Sequence, residues 1–438
     1  MKIFKNMNYI MYPLFFIISI VVNIFFMYSF FDGIAQYAMA RAIYLGEIPY
    51  NDFNMVTTPL FPLIHSIFLF LSDSYLTFTI INSLIVTAIY YYCSKICPKY
   101  YFTIFLLLCL PSFYFIAPSY NLLAKLLILI IVYFEKEKKS DFSIGLLLGL
   151  LILTKHSIGV TIMICSFLYI RDLKRIFQRI KGMIIPLIIF FIYLLVTHSF
   201  YSFFDLTFLG LFSFGKHNTT YSYSIIGLFF IFLVFYLYDI FKNKNQDNYL
   251  TYYALGSLSF LIPIFDLNHF MGALLLFLLF LFTKYNIQLR FEIINFFLIL
   301  IFLFLIVVDK NDSNIYSFNH YPLFRSSSNT YQEMNDVLYY YEEKYPNSVM
   351  ISPFAALYDT ISDKRITYFD NTLTGNYGYS GLKKMIHMLN DDTYYFIYKK
   401  YKVKEVDQFD IELCEYVIDH SQLVDSIGDY YIYYLDDK

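Results

Sequence analysis

The chain has 438 residues, 58% of them apolar and only 15% charged, with a mean hydropathy of +0.54 and a formal net charge of −2. Soluble globular domains carry roughly a quarter of their residues as Asp, Glu, Lys and Arg, so the composition excludes an ordinary soluble protein. The charge is also unevenly placed: residues 309–438 hold 21 acidic and 12 basic residues, whereas residues 1–308 hold 13 acidic and 20 basic.

That shift near residue 308 marks a change of solvent, from lipid to water. It divides the chain into a transmembrane part, 1–308, and a soluble part, 309–438. Of the five cysteines (Cys93, Cys97, Cys109, Cys165, Cys414), only Cys414 lies in the soluble tail, which therefore has no internal disulfide. No Cys/His spacing resembles a zinc site.

Lys2 and Lys5 precede an apolar run from Tyr9 to Phe31, and Ala38-Met39-Ala40 looks like a cleavage triplet. The run exceeds the roughly 7–15 residues of a signal core and reaches the roughly 20 that span a bilayer. It reads as an uncleaved first helix. The next segment, 32–58, reads as the first outer loop. A helix starts at Asp32 and ends at Gly46, and Pro49 prevents it from resuming. This helix is expected to lie along the outer membrane surface.

Further apolar runs fall near 56–71, 75–94, 101–117, 121–134, 142–154, 157–170, 182–198, 225–241, 249–264, 269–283 and 291–308. Between them stand basic clusters: Lys95/Lys99, Lys136/Lys138/Lys139, Arg171 to Lys181, Lys242/Lys244 and Lys284/Arg290. Two apolar runs separate each successive pair, so all the clusters can share one face, which the positive-inside rule makes cytoplasmic. The run 56–71, broken by Pro59 and Pro62, is expected not to cross, because its crossing would put Lys95 on the face of Asp32. The fold expected is an α-helical polytopic membrane protein of about 11–12 transmembrane helices, with a small extracytoplasmic α/β domain at the C-terminus.

With that orientation the unusual polar groups fall at the outer ends of helices: the loop 32–58, Tyr120-Asn121, Lys155-His156, Lys216-His217 and Asp266 to His269. The basic residues outside the cytoplasmic clusters, Arg41, Lys125, Lys155 and Lys216, all belong to this outer half. Ionisable groups at membrane depth are costly, and cations that break the inside bias point to an anion they serve. A phosphate at headgroup level fits. The plain alternative is snorkelling to lipid phosphates, and for Asp32 it is helix capping. In the tail, Thr330 to Tyr345 and Tyr379 to Asn390 read as helices. Ser348 to Ser352, Arg365 to Asp370, Tyr394 to Lys399 and Tyr430 to Leu435 read as strands of one sheet.

The first outer loop resembles that of the GT-C membrane glycosyltransferases, in the family 39-like group of protein O-mannosyltransferases, aminoarabinose transferases and bacterial sugar transferases. The resemblance rests on Asp32 after helix 1, Ala40-Arg41, the turn Gly46-Glu47-Ile48-Pro49-Tyr50-Asn51-Asp52, and Pro59 opening the next apolar segment. Two shorter stretches, Gly149 to Lys155 and Pro263 to His269, also look similar. Where many members carry a second acidic residue beside the first, this chain has Gly33.

The resemblance implies an inverting glycosyltransferase that moves a sugar from a polyprenyl-phosphate donor to an extracytoplasmic glycan, lipid or protein acceptor. The phosphate leaving group is anionic and needs cations more than an acid. The acceptor hydroxyl needs a base, and an aspartate serves if burial outweighs the lowering of its pKa by the helix N-terminus. Asp32 would be that base. Arg41 and Lys155 would face the phosphate, and Asp52 and Asp266 would orient sugar hydroxyls or an assisting divalent cation. His269, with His156 and His217, would contact the acceptor. No metal ligand set, resident cofactor or nucleic-acid partner is expected. A polymerase or ligase of lipid-linked glycans, or a membrane transporter, stays open as an alternative; no repeated halves support the transporter.

Overall fold

The computed structural model describes residues 2–26, 31–109, 118–211, 222–243, 248–262, 264–285, 314–371, 377–402 and 411–436. The described residues up to 285 are helical apart from their connections. The main elements are α1 (Lys2–Phe26), α2 (Phe31–Tyr44), α3 (Leu60–Leu69), α4 (Tyr75–Ile96), α5 (Tyr101–Cys109), α6 (Tyr120–Lys136), α7 (Asp141–Thr154), α8 (His156–Ile170) and α9 (Leu173–Val196). A short α10 (Phe200–Phe203) runs into a π-helix at Phe204–Leu209, and α11 (Tyr223–Lys242), α12 (Tyr249–Ser257) and α13 (Leu267–Tyr285) follow. Local chemistry sets several boundaries. Ser74, Ser140 and Asp172 side chains accept backbone N–H groups at the starts of α4, α7 and α9, and Arg171 closes α8 in the left-handed conformation.

Among the described residues, three helices, Tyr75–Ile96, Leu173–Val196 and Tyr223–Lys242, are long and apolar enough to cross a membrane. The tightest helix pair is α7 against α9. A Cβ on Gly145 would come within 2.1 Å of the Arg179 carbonyl oxygen, and one on Gly182 within 2.1 Å of the Phe142 carbonyl oxygen. Small residues four apart, Gly145 and Gly149, let the two backbones touch, as in helix pairs packed without a hydrophobic driving force.

The helix termini gather at two ends of the bundle. At one end the basic clusters meet. Lys136 donates to the carbonyls of Lys95 and Ile96. Fully buried Arg179 pairs with Glu135 and Asp141, and Lys284 pairs with Asp239. The sequence presents Arg171 to Lys181 as a solvated basic loop, but Arg175 and Arg179 are spent on these internal pairs. The other end carries the tail. The Tyr75 amide donates to His320 there, and the Asn51 side chain donates to Thr197. Helix α3 does not link the two ends. Its flanks, Thr58 and Asp73, bond at the tail end to Ile152 and to Arg41. Its ten residues reach only about 15 Å, half the thickness of a bilayer core. The expected run 291–308 lies outside the described residues.

Helix α2 is enclosed by protein: Gly33, Ile34 and Gln36–Ala42 are all buried. The covering comes from α3 and α4 in the bundle and from the tail, which packs α15 (Ala355–Ile361) against α2. A ring cluster continues the core across this junction: Tyr37 and Tyr75 lie 5.5 Å apart, and each contacts Tyr321 at 5.6 and 5.2 Å.

The tail begins with a hairpin, β1 (Asn314–Phe318) and β2 (Tyr321–Ser326), then α14 (Ser328–Tyr339). Its sheet has the order β3-β4-β6-β5, from β3 (Ser348–Ile351), β4 (Thr393–Tyr398), β5 (Gln422–Ile427) and β6 (Tyr430–Leu435). Strands β3 and β4 are parallel and the other pairs antiparallel. Helices α16 (Gly381–His387) and α17 (Ile411–His420) complete it. The expected strand at 365–370 is absent: Tyr368–Asn371 is a 3₁₀ turn. Its apolar residues alternate because they bury against two bodies. Ile366 enters the cluster of Ala38 and Tyr50, while Phe369 enters that of Tyr395.

Behind this turn lies a buried carboxyl pair. Asp359 and Asp370 lie within range of each other's charge, an arrangement that two ionised carboxylates would resist and one shared proton would relieve. Burial pushes both pKa values up, and the Asp359 charge pushes Asp370 further. The folded pair thus keeps a proton that the unfolded chain releases near pH 4, so its contribution to stability is full below that pH and is lost as pH rises through the raised value. Asp370→Asn supplies an N–H donor in place of the proton. Its thermal midpoint should fall less than that of wild type between pH 5 and pH 8, by several degrees as read from thermal unfolding of the full chain in detergent. Parallel pH curves for the two proteins would rule out the shared proton.

Candidate functional site

Asp32 lies in the first turn of α2, one residue inside the helix. Gly33 lets that turn approach α4: an added Cβ would meet the Tyr75 hydroxyl at 2.7 Å and Pro118 at 3.6 Å. A side chain at the position where the resemblance anticipates a second carboxylate would have to displace the Tyr75 hydroxyl. Asp32 opens onto accessible space, yet burial is the strongest influence on it and raises its pKa. This combination describes a group lining a recess rather than a convex surface. His269, Asp266 and Lys155 all act on its charge; His269 and Lys155 favour the ionised form and Asp266 opposes it.

The neighbours arrive from the ends of several helices. Lys155 stands in extended conformation at the break between α7 and α8. Its ammonium donates to Asn121 Oδ1 at 3.0 Å and lies 5.3 Å from the Tyr120 ring centre and 5.9 Å from that of Phe260. The groups that hold it are thus neutral, and its positive charge is left to act on Asp32, Asp266 or a ligand. One turn along α6 from Asn121, buried Lys125 adds a second cation within range of the first. Asp266 precedes α13 and accepts both the His269 backbone N–H, at 2.7 Å, and its Nδ1–H, at 2.8 Å. Burial pushes Asp266 up, but the His269 hydrogen bonds and the Lys155 charge outweigh it and hold the carboxyl below its ordinary range. Two carboxyls 234 positions apart in sequence are therefore driven in opposite directions, one toward taking a proton and one toward staying ionised.

Four residues expected at the site, Asp32, Lys155, Asp266 and His269, come together. Arg41 and Asp52 do not join them. Buried Arg41 donates from Nε to Asp73 at 2.9 Å, and its Nη2 meets Asp363 and, at 3.2 Å, His320 Nε2. Its charge is neutralised by acids, so it is not available to a phosphate. Asp52 is exposed and accepts the Ile48 N–H at 2.6 Å, which staples the turn that follows α2. His156 packs against Phe208 at 5.7 Å, and Lys216-His217 lie outside the described residues.

Sequence reasoning passed over Asp73, His320, Asp363 and Glu47. Glu47 is buried, 3.5 Å from Arg365, and its pKa rises to about 7, mainly through burial. The signal for Asp73 was present: a lone acid between two apolar runs. Nothing local marks Asp363 as its companion. Among the described residues, no three or more His, Cys, Asp or Glu side chains are grouped to hold a metal ion. The chain matches no family model, and no curated protein matches its sequence.

The tight approach at Gly33 yields a test. Gly33→Ala should cost about 1–3 kcal/mol, the usual penalty for overpacking, and Gly33→Ala/Tyr75→Phe should regain much of it. Chemical unfolding of both variants would decide; a Gly33→Ala protein as stable as wild type would contradict the observed contact.

Proposed function

We propose that this protein is an inverting membrane glycosyltransferase that moves a sugar from a polyprenyl-phosphate carrier to an acceptor hydroxyl outside the cytoplasm. The observation that carries the reading is the meeting of Asp32 with Lys155, Asp266 and His269 at the end of the bundle that bears the tail. The resemblance of the first loop to the GT-C group agrees with it. The three long apolar helices and the glycine-mediated contact of α7 with α9 support a bundle of many crossings in a cell membrane.

The chemistry follows from the charges. The acceptor oxygen attacks the anomeric carbon from the side opposite the phosphate, and the bond to the phosphate oxygen breaks with its electron pair. Lys155 and Lys125 neutralise the departing phosphate monoester. The acceptor proton passes to Asp32, whose raised pKa makes it a better base than an ordinary aspartate. Asp266, fixed by His269, remains ionised and accepts hydrogen bonds from sugar hydroxyls. Arg41 and Asp52, expected from sequence to bind substrate, have no part in this scheme.

Asp32→Asn keeps the shape and loses the base, so turnover should fall by roughly 10²–10⁴ with folding unchanged. Because the base must be ionised, wild-type activity should be lost as pH falls through a value above the usual ~3.9 of aspartate. Near-normal transfer by Asp32→Asn, measured with a panel of polyprenyl-phosphate sugars, would falsify the assignment. Orientation is checked separately with single cysteines in a cysteine-free background. Ser328→Cys, at the exposed start of α14, should label with an impermeant thiol reagent in intact cells, and Lys139→Cys only after lysis. The reverse pattern would put Asp32 in the cytoplasmic compartment and end the proposal.

A further inference from the structure

Helix α2 carries Asp32 in its first turn and Arg41 in its last. The two stand nine positions apart, about 13 Å along a rigid rod. Whatever fixes Arg41 therefore sets the place of Asp32. Three groups fix it. Asp73, in the turn before α4, takes Nε of Arg41 and also accepts the Tyr37 hydroxyl at 3.1 Å. The other two come from the tail: Asp363 pairs with Nη2, and His320 bridges, with Nδ1–H on the Asp73 carbonyl at 2.8 Å and Nε2 at 3.1 Å from Asp363.

Burial separates this arrangement from a chance surface contact. Arg41 is almost wholly buried, 4% exposed, so its charge requires partners that stay in place. Both tail residues that reach it hold left-handed backbone, His320 at φ +61° and Asp363 at φ +58°, a conformation uncommon outside glycine. Each is set by its own element: Asp363 follows α15, whose last turn closes through the Lys364 N–H on the Asp359 carbonyl, and His320 lies in the turn between β1 (Asn314–Phe318) and β2 (Tyr321–Ser326). Along the same seam Tyr368 donates to the Tyr50 carbonyl, and Asn54 donates to the Tyr368 carbonyl at 3.0 Å. The tail is thus laced to the last turn of α2 and to the loop that follows it.

We infer that Asp363 and His320 are positioning residues for the base: the tail acts as a latch that holds α2, and through it Asp32, in the recess beside Lys155, Asp266 and His269. The inference rests on the glycosyl-transfer reading for its catalytic consequence but not for its geometry. When the latch is weakened, α2 shifts and the protein packed around Asp32 withdraws, so that more water surrounds its carboxyl. Its carboxyl then returns toward ordinary aspartate behaviour, because burial is what raises it, against His269 and Lys155 and with Asp266.

The test uses the full chain in lipid nanodiscs, with Asp363→Ala, Asp363→Glu and His320→Gln. For Asp363→Ala, kcat should fall by about tenfold or more while the donor KM changes less than about twofold. The acidic limb of kcat/KM should move to lower pH. Asp363→Glu should recover part of both. A variant that is merely less folded loses amplitude without moving the limb, and that outcome would overturn the inference. A second measurement needs no transfer activity. In a cysteine-free background carrying Ala40→Cys, at a fully buried position of α2 beside Arg41, alkylation of the thiol should be about tenfold faster with Asp363→Ala than without it, since local opening sets access. Equal alkylation rates would remove the latch whatever the enzyme does. Faster alkylation in a protein that transfers no sugar would keep the latch and refute the glycosyl-transfer reading.

Discussion

A buried guanidinium must be paired, and in this protein the pairing of Arg41 organises everything at one end of the bundle. Arg41 cannot be neutralised by its own helix, so the chain brings Asp73 from the turn before α4 and Asp363 from more than 300 residues away. His320 joins the two acids. These contacts enclose α2 between bundle and tail. Tyr37, Tyr75 and Tyr321 extend the same junction with apolar contact, so the interface is neither purely ionic nor purely greasy.

Enclosure of α2 has an electrostatic consequence at its other end. Asp32 lines a recess in which Lys155, Asp266 and His269 supply most of the field. The fold separates two carboxyls by environment: one is desolvated, the other is hydrogen-bonded to an imidazole and stays ionised. Among the described residues, the ammonium of Lys155 meets an amide and two aromatic rings, so its charge is available at the recess. At the far end of the bundle charge is used differently. Arg175 and Arg179 pair with Glu135 and Asp141 within the protein, which fixes helix termini.

Much of this was legible in the sequence, and the failures have physical causes. Asp32, Lys155, Asp266 and His269 were picked out because ionisable groups at helix ends in an apolar chain need a reason, and these four converge. Pro59 and Pro62 stand before and inside α3, which is only ten residues long. Arg41 was misjudged because the same rule, a cation away from the basic loops, cannot distinguish a residue that serves a ligand from one that serves Asp363. That distinction depends on a contact spanning 322 positions. The segment 365–370 was misread as a strand for a related reason: alternation records burial on two sides, and the two sides here are the α2 loop and the tail core. Gly33 could have been read as a close approach, since a residue without a side chain stood where the resemblance anticipates a carboxylate.

The central claim, that the recess at Asp32 transfers a sugar from a lipid phosphate, is tested most directly by following both products of a single turnover. Purified protein in nanodiscs would receive a carrier loaded with an isotopically labelled sugar of known anomeric configuration. Free polyprenyl phosphate and the glycosylated acceptor would be measured together. The account predicts equimolar release and transfer for at least one sugar, with inversion at the anomeric carbon. Transfer with retained configuration, or no carrier release from any sugar of the panel, would contradict it.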